Sequence, residues 1–440
     1  MHWPVRRLAI SAAVVLALPS LLGAAPAVQP SDDLRESYDL LSTTYYSKVD
    51  SQKLLDGARA ALEDYARKHN VRIAIPSLKD AGSEEANVAQ IGDAISHVEQ
   101  AAHDSSALLT YEAIDGMAKA LGDRYTAFFT PDEYKQFNDA LDPEKISGIG
   151  VLIQPDEASK YIRAYYVVPG TPAEKAGLQS GDVFTSVDGV SVKNFTSDQA
   201  TKILRGKAGT PVKIEAVRAG KSLGTLTITR SEVQPPTVIY KMLPQQVGYI
   251  WVLAFGRQTP DEFALALDRL QKADVRGYVL DLRNDGGGYV NSALDISSRF
   301  IANKALLTVK ERGKQATTID SDGNPSISLP VTVLVNQYTA SASEITAGAL
   351  QDDGIGVLVG EKTFGKGVMQ SLTALPDGAA IKITTAHYLT PKNRDINLKG
   401  IEPDFSVSEN KDARLGEVEH DAQLQAALNI ITKKIADAKP

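Results

Sequence analysis

Apolar positions along the chain follow three different rhythms. From about residue 31 to 140 they recur every three or four residues, as at Leu34, Tyr38, Leu41 and Tyr45, which predicts amphipathic helices. Helical spacing resumes over 54–65 and 91–121, and Ser31-Asp32-Asp33 offers N-cap residues for the first helix. The polar stretch 70–87, with Pro76, reads as a loop between helices. From Ile146 the rhythm shortens. Short strands alternate with turn signals over 146–232, with a short helix at 172–176, another at 197–204, and strands at 211–218 and 222–230. Pro235-Pro236 reads as a linker.

From Val247 the apolar residues become continuous runs. Such runs are the mark of strands buried on both faces, and here they alternate with a helical pattern at 259–272. Runs at 248–253, 277–282, 331–336, 355–359 and 378–386 predict one mostly parallel sheet, whose ligands belong at the carboxyl ends of its strands. The fold class expected is therefore multi-domain α+β. It comprises a helical region 28–145, a β-rich unit 146–232, an α/β unit 233–408 and a helical tail 409–440.

The first residues follow a different logic. Arg6 and Arg7 precede an apolar run of about 15 residues, 8–22, and Ala25-Pro26-Ala27 fits a small-x-small cleavage site. Residues 1–27 read as a secretory signal, cleaved or kept as an anchor, so the chain is expected to be exported, in the periplasm or another extracytoplasmic space.

Composition narrows the chemistry. The 440 residues carry a net charge of −7, which argues against a nucleic-acid partner. Cysteine is absent, which removes thiol catalysis, thiolate metal sites and disulfides together. The six histidines, at 2, 69, 97, 103, 387 and 420, never fall at the i, i+4 spacing of a helical zinc motif, so no metal and no cofactor is expected.

Three segments carry candidate chemistry. Ser341 follows a buried strand and opens a helix, where free N–H groups and the helix dipole suit a nucleophile and its oxyanion. Ser341 also reads as a plain N-cap, because Glu344 three residues on completes a capping box. With no histidine in these loops, Lys366, in Gly365-Lys366-Gly367, is the candidate base, provided burial lowers its pKa; alternatively it is a solvated loop lysine. The glycine run 286–288 ends another buried strand and could turn amides toward an anion.

Together these segments resemble the C-terminal processing, or tail-specific, peptidases over about residues 121–404. The resemblance is carried by ALGDRYTAFFTPDEYK at 120–135, SGIGV at 147–151 and PGTPAEKAGLQSGDVFTSVDG at 169–189. It continues in DLRNDGGG at 281–288, TASASEITAGALQD at 339–352, GEKTFGKGVMQ at 360–370 and GIEPD at 400–404. It implies a PDZ domain at 146–232 and an α/β, crotonase-like peptidase core with a Ser–Lys dyad. Ser341 would be the nucleophile, Lys366 the base, and Gln370 the side chain that orients the amine. The amides of Ala342 and Gly287 would bind the oxyanion, and Gly148, Ile149, Gly150 and Val151 would hold a substrate tail. Asp352 matches an aspartate expected to be structural.

The sequence departs from the family at Asp285, where asparagine is usual, at Gly286, where proline is usual, and at Thr339. The implied partners are proteins with exposed apolar C-termini, with an adaptor protein and self-association left open. Two rivals remain at this stage. One is a catalytically silent PDZ adaptor, which has no reason to retain Ser341, Lys366 and Gln370 together. The other is a crotonase-type acyl-transfer or hydratase enzyme, which gives no reason for a PDZ module.

Overall fold

The computed structural model describes residues 30–410 and 416–437; the expected signal segment 1–27 lies outside them. Four helices, Pro30–Thr44, Ser51–Lys68, Glu84–Ala102 and Ser106–Ala120, open the described chain. Leu34, Tyr38, Leu41 and Tyr45 are all buried between them, as the spacing requires. The stretch 91–121, expected as one pattern, is two helices. His103 takes a left-handed conformation (φ 58°) and ends one, and the Ser105 side chain accepts the Leu108 N–H to start the next. The second and fourth helices touch backbone to backbone at Gly57 and Gly116. A Cβ on either would lie 2.4 Å from the other's carbonyl oxygen.

This helical core is completed from elsewhere in the chain. Leu375, Ala379, Ile381 and Ile383 of a β-hairpin, Val368–Ala374 with Ala380–Leu389, pack into it. The hairpin belongs to an antiparallel sheet that also contains Ala127–Phe129, Ala305–Glu311 and Thr317–Asp320. The run 378–386 was expected in the parallel sheet and lies in this one instead. The largely buried residues of Ala380–Leu389 meet two different neighbours: Ile381 and Ile383 pack against the helices, and Lys382 and Tyr388 line a cavity.

The middle unit is a sheet in the order Val151–Pro155, Ile162–Val167, Val183–Val187, Pro211–Arg218, Lys221–Thr229. The helix predicted at 197–204 is found there, as Ser197–Leu204. Entry and exit strands, Ile146–Gly148 and Ser231–Val233, pair side by side, so the unit hangs on a two-stranded neck.

The third unit is a six-stranded sheet ordered Val238–Leu243, Val247–Val252, Gly277–Asp281, Val331–Val335, Gly356–Gly360, Phe405–Ser406. All pairs are parallel except the first. Both faces are covered, which is why the strands read as unbroken apolar runs. On one face Phe263, Leu267, Ile296, Ile345 and Leu350 meet Ile250, Leu280 and Val333. On the other, Leu424, Leu428 and Ile431 of the helix Ala422–Asp437 meet Tyr249, Val279 and Leu334. The helix of the expected tail 409–440 is thus a layer of the core. It is also pinned electrostatically. The fully buried Arg283 guanidinium bonds Asp281 and Asp421, at 2.6 and 2.7 Å, and Gln423 at 3.0 Å.

Candidate active site

Three loops at the carboxyl ends of neighbouring parallel strands meet above the sheet. The serine turn follows Val331–Val335, the lysine loop follows Gly356–Gly360, and the glycine loop follows Gly277–Asp281. Side chains tie the first and third together. The Thr339 hydroxyl donates to the Leu282 carbonyl at 2.8 Å, and the Asn336 amide donates to Asn284 Oδ1 at 2.9 Å. The Ala340 N–H and the Ser343 hydroxyl both reach the Asp285 carbonyl, at 3.0 and 3.1 Å.

Ser341 sits at the apex with φ 58° and ψ −118°, a strained conformation for a residue with a side chain. It is also the N-cap of Ala342–Asp352, and Glu344 returns the capping-box bond to its N–H at 2.9 Å. The cap reading is borne out in this contact, and Ser341 also lines a cavity. Glu344 does more than cap. Its buried carboxylate also accepts the N–H of Lys366 at 2.8 Å, that of Gly365 at 2.8 Å and the Thr363 hydroxyl at 2.5 Å. Tyr388 makes the matching contacts from the other side, its hydroxyl facing the carbonyls of Lys366 at 2.8 Å and Ser341 at 3.2 Å. One carboxylate and one phenol thus fasten the backbones of residues 341 and 366 to each other. The sequence signalled Glu344 only as a cap, and nothing in it marked Tyr388.

Ser341, Lys366, Gln370 and Gly287 line one cavity of about 380 Å³, together with Leu141, Leu253, Ile345 and Met369. Lys366 Nζ stands 5.3 Å from the centre of the Tyr125 ring. Burial, reinforced by the positive charge of Lys382 in the same cavity, pulls the Lys366 pKa down to about 8, against the opposing pull of Glu344 and Asp123. Lys382 is itself lowered by burial, its amine lying over the Phe129 and Phe137 rings. Gln370 Nε2 is buried and unpaired, and among the described residues no hydrogen bond joins the Ser341 hydroxyl, the Lys366 amine and the Gln370 amide. The cavity assembles these groups without closing the contacts between them, as is common before substrate binds.

Gly287 packs against the start of the helix Ala342–Asp352. A Cβ on Gly287 would be 2.8 Å from the Ala342 nitrogen. The Gly287 N–H, however, donates to Asp285 Oδ1 at 2.8 Å and is engaged within its own loop. Asp352 accepts the Lys392 N–H and pairs with Arg394, a structural use. Among the described residues no group of three or more His, Cys, Asp or Glu side chains is placed to hold a metal ion.

Gly148, Ile149, Gly150 and Val151 line a second, separate cavity of about 290 Å³. It runs between the edge strand Val151–Pro155 and the helix Ser197–Leu204, with Leu152, Ile153 and Leu204 as apolar walls and Arg205 at its margin. Ile149 is also buried in the core of that unit, so it packs as well as lines.

Residues 246–407 match Peptidase family S41 and residues 163–218 match the PDZ domain. A carboxyl-terminal-processing protease of Picosynechococcus sp. is 37% identical over 336 residues, 75% of this chain and 80% of that one. The chain belongs to the C-terminal processing serine proteases of family S41. The carboxy-terminal processing protease of Bacillus subtilis is 31% identical, over 84% of this chain and 68% of that one. The solved photosystem II D1 C-terminal processing protease is 28% identical, covering 87% of this chain and 94% of that one, with a TM-score of 0.47. Within this peptidase the parallel strands from Val247 onward and their three loops fall in the S41 match, and the edge-strand groove belongs to the PDZ-bearing unit.

Proposed function

We propose that this peptidase cleaves exported proteins near exposed, apolar C-termini. In this reading Ser341 is the nucleophile, Lys366 the general base, and the PDZ groove the device that captures the tail. The observation that carries it is the shared cavity. A strained serine at a helix start and a lysine with a depressed pKa come from different loops, line one apolar-walled space, and are fastened by Glu344 and Tyr388.

The neutral Lys366 amine takes the Ser341 hydroxyl proton as Oγ attacks the scissile carbonyl, and the proton passes to the leaving amine. Lys366 then takes a proton from the water that adds to the Ser341 ester and returns it to Ser341 Oγ as the ester C–O bond breaks and the acid product leaves. The Gln370 carbonyl oxygen is the group that would accept from the amine and orient it. Ala342 N–H, at the start of a helix, and Gly287 N–H would bind the oxyanion. Because the base must be neutral, activity has a rising limb as Lys366, with a pKa of about 8, loses its proton.

Capture follows strand addition. A peptide extending the edge strand Val151–Pro155 would place its side chains against Ile153 and Leu204 and its carboxylate at the Gly148–Val151 loop. Export rests on the Arg6-Arg7 and apolar 8–22 segment; among the described residues no helix is long and apolar enough to cross a membrane. An adaptor protein or a second copy are candidate further partners. The test is cleavage of a peptide with an apolar free carboxyl end by wild type and by Ser341→Ala. Wild type cleaves and the variant does not; equal turnover by both would refute the assignment.

A further inference from the structure

Asp285 stands at the centre of the oxyanion region without a compensating charge. Its side chain is wholly buried and lines the same cavity as Ser341. Oδ1 holds the Gly287 N–H at 2.8 Å, and Oδ2 has no hydrogen-bond partner. The charged groups around it are committed elsewhere or lie across the cavity. Arg283, on the same loop, is bonded to Asp281, Asp421 and Gln423. Tyr289, also on this loop, donates to Asp142. Glu344, on the facing helix, serves the amides of Ser341, Gly365 and Lys366. Lys366 and Lys382 line the cavity with their amines over aromatic rings, and the Tyr388 hydroxyl faces main-chain carbonyls. Gly287 itself is wedged against the nucleophile, since a Cβ there would lie 2.8 Å from Ser341 Cβ. The direction of its N–H is therefore set by Asp285, beside the place where an acyl-Ser341 oxyanion must form.

We propose that Asp285 is a positioning residue that works as the neutral acid: protonated, it yields the Gly287 N–H to the oxyanion; ionised, it keeps that N–H and sets a second negative charge beside the oxyanion. The proposal rests on the Ser341–Lys366 reading of the site. A carboxylate holds an N–H about twice as strongly as a neutral acceptor does, so release is easy only from the acid. Two negative charges in a dry cavity repel, which raises the barrier further. A neutral carboxylic acid has the shape of the asparagine that is usual at this place in the resemblance. Burial without a cation, opposed by the Gly287 N–H and the adjacent Ser343 hydroxyl, pushes the Asp285 pKa up to about 8, favouring the acid form at neutral pH.

The consequence is a pH window. Lys366 is correctly protonated above its pKa and Asp285 below its own, so kcat/KM rises and then falls. The test is kcat/KM for one tail peptide from pH 6 to 10, in wild type and Asp285→Asn, with Ser341→Ala as the blank. The wild type should fall on the alkaline side while Asp285→Asn climbs to a plateau. One pH unit above the Asp285 pKa, the variant-to-wild-type ratio should be about tenfold higher than well below it. Profiles that keep a constant ratio at every pH would overturn the proposal, because a merely structural side chain changes the level and not the shape.

A second measurement does not depend on that variant folding. Infrared spectra of Ser341→Ala should show a protonated-carboxyl band that disappears along the alkaline limb of wild-type activity. Its absence at pH 7 would also overturn the proposal. Failure of wild type to cleave any tail peptide would instead count against the proposed function, and the infrared titration would still report on Asp285.

Discussion

Glu344→Gln tests how residues 341 and 366 are held. The carboxylate accepts four hydrogen bonds, two on each oxygen, and is fully buried. A glutamine keeps one accepting oxygen and turns an NH2 group toward the donors of the other, so two bonds are lost and two donors are left unpaired. Bonds to a charged acceptor contribute about 1.5–3 kcal/mol each, giving an upper range of about 3–6 kcal/mol. Burying the carboxylate is itself costly, which is why the Glu344 pKa lies above its ordinary range despite those bonds. The net loss expected is therefore about 3 kcal/mol. Freed from the shared acceptor, the serine turn and the lysine loop can drift apart, and a shift of about 1 Å lowers kcat on the order of 100-fold. Urea unfolding gives the first number and steady-state hydrolysis of a tail peptide the second. A Glu344→Gln protein within about 0.5 kcal/mol of wild type with unchanged kcat would refute the clamp.

Other perturbations probe separate parts of the account. Gln370→Glu should move the rising limb of activity to higher pH, because an anion beside Lys366 favours the ammonium; an unmoved limb in kcat/KM would place residue 370 out of reach of the amine. Arg283→Met strips the cation from between Asp281 and Asp421 and should cost about 3–5 kcal/mol in urea unfolding, with the tail helix losing hydrogen-exchange protection; a change below about 1 kcal/mol would mean the triad does not hold the tail. Amidating the C-terminus of a long apolar tail should slow its cleavage in competition with the free acid, and equal rates would show that the groove does not read the carboxylate.

How much of this was legible in the sequence depended on whether the signal was local. The helices at 197–204 and 259–272 were, since caps, turns and periodicity lie within them. The buried strands of the parallel sheet were also readable, because burial on both faces leaves continuous apolar runs. The antiparallel sheet was not. Val368–Ala374 is mostly half-buried, and Ala127–Phe129 and Ala305–Glu311 pair with Ala380–Leu389 from far away in the chain. The tail helix read as helical, but its place against the sheet depends on Asp421 meeting Arg283, 138 residues away, which no local pattern announces. At the site, Ser341 and Lys366 stood out from their own segments, and Gln370 only through the family resemblance. The dual use of Glu344, the role of Tyr388 and the second lysine, Lys382, depend on three loops and a hairpin converging, and single-segment reading could not reveal them.

The central claim, that Ser341 is activated by a neutral Lys366, is tested most directly by covalent trapping. The purified chain is treated with a fluorophosphonate, digested with a second protease and mapped by mass spectrometry, beside Lys366→Arg and Ser341→Ala. The account requires one adduct, on Ser341, formed faster as pH rises from 6 toward about 8. It requires no adduct in Ser341→Ala and almost none in Lys366→Arg, whose guanidinium cannot give up its proton to serve as a base. An adduct on another residue, or labelling of Lys366→Arg at the wild-type rate, would contradict it.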